Sequence, residues 1–252
     1  MASESLQGGT CGDPVAGNHR QRRWLSQQGE TTMTYQHMWS DGRPVDLPAG
    51  KVVCVGRNYA AHARELGNAV PETPILFLKP ATALVPLGPD FAIPAGRGEC
   101  HHETEITLLI GSTLSGEVSE EAARAAIAGV GIGLDLTLRD VQNTLKQKGL
   151  PWEVAKAFDG AAPMGPFLPP GGFADLAAIS VGLIVNGERR QSGNSADMIT
   201  GIVPLLRFIA TIFTLQPGDI VMTGTPEGVA ALQSGDRLMP ILSGHSWQTR
   251  VR

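Results

Sequence analysis

From residue 51 onward the chain is a series of short apolar runs set off by turn residues, each with the length and spacing of a strand or a short helix. Lys51-Val52-Val53-Cys54-Val55 predicts a buried strand, which Gly56-Arg57-Asn58 turns into a short helix over 59–66, closed by Gly67. Ile75-Leu76-Phe77-Leu78 predicts a second strand, ending at Lys79-Pro80. A third enters the core as Ile106-Thr107-Leu108-Leu109-Ile110 behind a polar lead, His101-His102-Glu103-Thr104-Glu105. Ser119 caps a helix with Glu120 and Glu121 in its first turn and Gly129 after its end. A strand over 130–136 carries Asp135 near its exit. Thr137 caps a helix over 138–148, with Leu138, Val141 and Leu145 as its apolar stripe and Gly149 and Pro151 as its stop. The segment 151–170, with Lys156, reads as a loop.

Beyond it, Ile179, Val181, Leu183 and Val185 alternate and run into Asn186-Gly187, a hairpin with a type I′ turn. Met198, Ile202, Leu205, Leu206, Ile209 and Phe213 recur at helical spacing, so a helix is predicted between Ser195 and Leu215. A strand at Ile220-Val221-Met222 leads into Thr223-Gly224-Thr225-Pro226. The stretch 237–252 reads as a hairpin turning at Ser243-Gly244. Residues 1–32 show neither period and few apolar positions, which predicts a disordered extension ahead of one domain over 33–252, with Met33 a candidate internal start.

Composition narrows the class. Only 5% of the 252 residues are aromatic, whereas there are 31 glycines and 18 prolines, a balance that favours many short strands joined by tight turns. Net charge is −4, from 20 Lys and Arg against 24 Asp and Glu, so no basic field is available to attract nucleic acid. The longest apolar stretch, 202–215, is short and broken by Arg207, so no membrane span is expected. Cys11, Cys54 and Cys100 form neither a CxxC pair nor a disulfide framework, which suits a reducing cytoplasm.

The candidate chemistry is acidic. Alternation along a strand puts Glu103 and Glu105 on one face, where two semi-buried carboxylates need a proton, a basic partner or a cation. Oxygen-only ligands suit Mg²⁺, Mn²⁺ or Ca²⁺, and Asp135 offers a third oxygen. Taken alone, a Glu-x-Glu pair is more often a solvated polar edge than a site. His62 and Glu65 lie three apart on one helix and share a face, so the carboxylate can orient the imidazole as a general base. Lys79, Arg139 and Lys156 are candidate anion partners. Gly129-Val130-Gly131-Ile132-Gly133 does not fit a dinucleotide fingerprint, and no nucleophile elbow or zinc thiolate set is present.

Several segments, taken in order, resemble the fumarylacetoacetate hydrolase family, in particular its small acylpyruvate-hydrolase and oxaloacetate-acting branch. They are Val55-Gly56-Arg57-Asn58-Tyr59, Phe77-Leu78-Lys79-Pro80, His101-His102-Glu103-Thr104-Glu105, the run from Leu134 to Gln142, Gly149-Leu150-Pro151-Trp152, Ala155-Lys156-Ala157-Phe158-Asp159 and Thr223-Gly224-Thr225-Pro226. The resemblance implies an α+β, β-rich fold: a mixed β-sandwich roll of the family's C-terminal-domain type, with short peripheral helices and usually a homodimer. It implies a divalent metal, Mg²⁺ or Mn²⁺, on Glu103, Glu105 and Asp135. His62 and Glu65 would lie on a lid helix, with Lys156 stabilising an oxyanion, and Lys79, Arg139, Gln142 and Thr225 would bind substrate. One departure is Gly228-Val229-Ala230, where the family usually has a second glycine; an Ala230 forced to positive φ would be strained.

The activity expected from this resemblance is hydrolysis of a carbon–carbon bond in acylpyruvates such as fumarylpyruvate-like diketo acids, through a pyruvate enolate held by the cation. The alternatives are an oxaloacetate keto–enol tautomerase or decarboxylase, or an isomerase of 2-hydroxyhepta-2,4-diene-1,7-dioate. All take a small 2-keto or diketo acid.

Overall fold

The apolar runs pair into two packed sheets and a small third one. The computed structural model describes residues 35–252, so the extension expected over 1–32 lies outside the described residues. Tyr35–Arg252 form one compact unit. Its largest sheet has seven strands in the order Ile75–Lys79, Val52–Gly56, Ile220–Met222, Thr104–Ile110, Ile127–Leu134, Ala162–Met164 and Leu84–Pro86. Val52–Gly56 runs parallel to Ile220–Met222, and Thr104–Ile110 lies antiparallel between Ile220–Met222 and Ile127–Leu134. A five-stranded antiparallel sheet holds Glu188–Asn194, Ser180–Val185, Arg237–Leu242 and His245–Ser246, with Thr249–Arg250 also beside Arg237–Leu242. Ala230–Ala231, Cys100–His102 and Thr137–Leu138 make the third sheet.

The two larger sheets meet where Thr104–Ile110 and Ile127–Leu134 pack on Ser180–Val185 and Arg237–Leu242. All seven residues of Thr104–Ile110 are buried, because the strand is covered on both faces. Ile106, Leu108, Ile132, Leu134, Leu183 and Leu242 belong to one continuous core. Burying each such side chain stabilises the fold by about 1.5–3 kcal/mol. The expected mixed β-sandwich roll with few, short helices is the observed fold.

Several local readings need correction, among them the strand read over 130–136, which is Ile127–Leu134 with Asp135 just beyond it. The first helix is Ala60–Glu65, and Gly67 does follow it at φ +64°. Ser119 caps Glu120–Ala125 through a hydrogen bond from the Ala122 N–H, but Gly129 lies inside strand Ile127–Leu134 rather than after the helix. There Gly131 and Gly133 let Phe167 and Met164 close on the strand: a Cβ at Gly131 would come within 2.8 Å of the Phe167 ring. Thr137 is a strand residue whose hydroxyl donates to the Asp135 carbonyl, so the next helix starts at Arg139 without that cap. Lys156 ends a short helix, Glu153–Lys156, instead of lying in a loop. The helix predicted between Ser195 and Leu215 is only Ile202–Ile212, with a separate turn at Ser195–Asp197. Thr200-Gly201 breaks the pattern, and Pro204 fits the first turn, where its missing N–H costs nothing. The Asn186-Gly187 turn has φ of +53° and +86°, as type I′ requires.

Candidate active site

The site forms where two antiparallel neighbours leave the sheet together. Thr104 faces Leu134 and Glu105 faces Gly133 across that pair, so Glu103 and Asp135 stand side by side at its end. The Asp135 N–H donates to the Glu103 carbonyl at 2.8 Å and fixes the juxtaposition. Glu103 itself sits in the break between Cys100–His102 and Thr104–Ile110, not within a continuous strand. All three carboxylates are buried, and one oxygen from each lies within 4.8 Å of the others.

Three cations pair with two of the three carboxylates. Lys156 Nζ donates to Glu103 Oε2 and Asp135 Oδ2, both at 2.7 Å. The Arg139 guanidinium donates to Glu103 Oε1 and, at 2.7 Å, to Gln142 Oε1. Lys79 Nζ stands 2.8 Å from Asp135 Oδ1, off the line of a hydrogen bond, and donates to the carbonyls of Lys156 and Ala161. Glu105 differs: among the described residues no basic side chain pairs with it, and its Oε2 accepts only the Gly224 N–H. Burial opposes the charged form of Glu103, but Lys156 and then Arg139 outweigh it and hold the carboxyl well below its usual range. Burial, then Asp135 and Glu103, push the Glu105 carboxyl well up. Burial also opposes the Lys156 charge, yet Asp135 and Glu103 raise its pKa. A divalent cation fits this donor set, because it would stabilise the carboxylate that no protein cation reaches and meets only oxygen ligands.

A small cavity opens on this cluster. Its wall includes His62, Arg139, Gln142, Lys156 and Thr225, so five of the expected substrate-facing residues come together. Lys79 does not line it. It is fully buried beneath Asp135 and donates to two backbone carbonyls. Glu65 stands behind His62: its Oε2 is 3.3 Å from His62 Nδ1 and its Oε1 accepts the Gly228 N–H at 2.9 Å. That arrangement sets Nδ1 as the donor and leaves Nε2 as the basic atom.

Thr225 is held from the second sheet. Its hydroxyl donates to the Thr104 carbonyl at 2.9 Å and accepts from Gln191 Nε2 at 2.8 Å. Gln191 also donates to the Pro226 carbonyl, and its Oε1 takes the Thr104 N–H and His102 Nδ1. A fully buried amide thus makes its whole complement of four hydrogen bonds.

A family model described as fumarylacetoacetate (FAA) hydrolase C-terminal matches residues 51–245, most of the chain and all of the site. The chain belongs to the fumarylacetoacetate hydrolase family. An Escherichia coli member named oxaloacetate tautomerase is 53% identical over 218 residues, 86% of this chain and 99% of that protein. A mitochondrial oxaloacetate tautomerase of Bos taurus is 42% identical over 193 residues, 77% of this chain and 87% of that one. Among solved structures, a family protein of Yersinia pestis superposes with TM-score 0.85 at 48% identity, covering 86% of this chain and all of that chain. A Pseudomonas aeruginosa fumarylpyruvate hydrolase, solved with Mn²⁺ and pyruvate, has TM-score 0.80 at 35% identity, covering 88% and 97%.

Within this family fold, the departure at Ala230 carries no strain. Ala230 pairs with His102 as a strand residue, and the non-glycine residues at positive φ among those described are Arg57, Asn186 and Ser243. The positive φ falls on Gly228 instead, at +94°. Sequence reading missed three polar residues of the site: Arg57, Lys146 and Gln191. Lys146 was within reach, since 139, 142 and 146 follow the three-then-four spacing of one helix face. Gln191 gave no signal, since its strand, Glu188–Asn194, has no apolar side chain to set it apart.

Proposed function

We propose that this protein is a divalent-metal-dependent keto–enol tautomerase of oxaloacetate. The observation that carries the reading is the 53% identity that runs through 99% of the length of the E. coli oxaloacetate tautomerase. It puts the tautomerase ahead of the acylpyruvate hydrolase expected first.

Glu103, Glu105 and Asp135 would hold the cation. When bound, it supplies electron withdrawal from the 2-oxo group and so acidifies the protons at C3. His62 takes a C3 proton on Nε2 while the 2-oxygen gains one from solvent, and in the reverse direction it returns the proton to C3 as the oxygen releases its own, with Glu65 keeping the ring in the required tautomer. Lys156, fully charged, faces the oxygen on which negative charge develops. Arg139 and Gln142 orient the carboxylate next to that carbonyl. Thr225 shapes the wall through the Gln191 network. Keto–enol exchange moves one proton and needs no activated water.

Fumarylpyruvate hydrolysis is the second reading, favoured by the P. aeruginosa neighbour. The two separate in one assay of the protein loaded with Mg²⁺ or Mn²⁺ and after chelation. The expected result is a higher kcat/KM for oxaloacetate enol than for fumarylpyruvate, with both lost on chelation. The reverse preference would overturn the tautomerase.

A further inference from the structure

Two cations at the cavity wall have no part in the charge balance described above. Arg57 and Lys146 both line the cavity, and among the described residues neither forms an ion pair. Arg139, on the same helix face as Lys146, is committed to Glu103 and Gln142. The Lys146 ammonium instead lies 5.3 Å over the ring of Trp152, another wall residue. An aromatic face holds a cation in place without neutralising it.

Arg57 is unusual in its backbone. It holds φ +61°, a region that non-glycine residues seldom occupy and that tends to mark functional positions. Its neighbour enforces this. Asn58 Oδ1 accepts the Thr200 N–H, and Asn58 Nδ2 donates to the carbonyls of Thr200 and Thr223. The turn is therefore pinned to two distant segments, with the arginine turned to the cavity. Burial, then the charges of Arg139 and Arg57, bring the Lys146 pKa down to about 8, against partial opposition from Glu103.

We infer that Arg57 and Lys146 form a second carboxylate subsite, which binds the distal carboxylate of a four-carbon 2-oxo dicarboxylate. The inference rests on the tautomerase reading for its substrate class and extends it: the metal-facing end of the cavity takes the 2-oxo acid, and these two side chains select for a second negative charge. A monocarboxylate such as pyruvate fills only the first end.

Binding tests the subsite apart from turnover. Calorimetry on the Mn²⁺-loaded protein compares malate, a non-reacting four-carbon dicarboxylate, with pyruvate. The variants are Arg57→Asn, which tolerates the same backbone region, and Lys146→Met, which keeps the packing on Trp152. Each should weaken malate on the order of tenfold, the scale of one charge-assisted hydrogen bond, and leave pyruvate within about twofold. Lys146→Arg should restore malate binding. Equal weakening of both ligands, or wild-type protein that binds malate no more tightly than pyruvate, would overturn the subsite. Absence of tautomerase activity with the malate preference intact would refute the proposed reaction and leave the subsite standing.

Discussion

Glu105 is a fully buried carboxylate whose hydrogen-bonding partner is one backbone N–H, while its neighbours Glu103 and Asp135 each have a lysine or arginine. Removing one partner from a buried ion pair leaves an uncompensated charge and is strongly destabilising. Lys79 and Lys156 therefore belong to the fold as much as to the site. The opposite choice is made at His37, which is buried and kept neutral. Its Nε2 meets the carbonyls of Gly218 and Pro48 at 3.0 and 3.2 Å. Burial lowers its pKa, with partial opposition from those two carbonyls. The unfolded chain takes up this proton near pH 6.5, the folded chain only at lower pH, so the unfolded state binds more protons in that window and stability falls as pH drops through it. His37 should therefore contribute a decline in melting temperature as pH drops below about 6.5. His37→Gln, which keeps a donor without the titration, should flatten the decline; an unchanged slope would remove His37 from it.

The short helix Ala60–Glu65 has neither a side-chain cap nor an acidic first turn, so its own sequence holds it weakly. Buried His62 and Ala63 and the bond from Gly228 to Glu65 anchor it. Gly228 cannot be replaced: at φ +94° a Cβ would fall 1.9 Å from the Arg190 carbonyl oxygen. Gly228→Ala should cost on the order of 1–3 kcal/mol and lower activity by releasing Glu65. Gly235→Ala is the control, with φ +97° and open space around it. It carries the backbone strain alone and should melt above Gly228→Ala; the opposite order would contradict the clash. Element boundaries show what the sequence conceals. Apolar runs located five of the seven strands of the large sheet, because fully buried strands are continuously apolar, whereas the short strands Leu84–Pro86 and Ala162–Met164 gave no such run. Thr137 and Gly129 were read as helix punctuation, yet cross-strand pairing and the close approach of Phe167 decide their conformations, and both are non-local.

On the scale of the whole molecule, the packing of the two sheets places residues 62, 103, 105, 135, 139, 142, 156 and 225 around one cavity from segments far apart in the chain. The carboxylate set and the His62–Glu65 pair were legible because their chemistry demands particular residue types at close spacing. For Lys79 the sequence shows a charge but not the depth at which it lies. Arg57 and Gln191 depend on a backbone torsion and a contact between sheets, which no local pattern encodes. The choice between tautomerisation and hydrolysis was not legible either, since both begin at the same carboxylates. The most direct measurement follows the decay of oxaloacetate enol by its ultraviolet absorbance with Mn²⁺-loaded wild type and His62→Gln, alongside calorimetric Mn²⁺ affinity. Wild type should accelerate the decay, and the variant should lose on the order of 10²–10⁴ in rate with its metal affinity intact. A wild-type protein that leaves the enol decay unchanged, or a His62→Gln variant as fast as wild type, would contradict proton transfer by His62 in an oxaloacetate tautomerase.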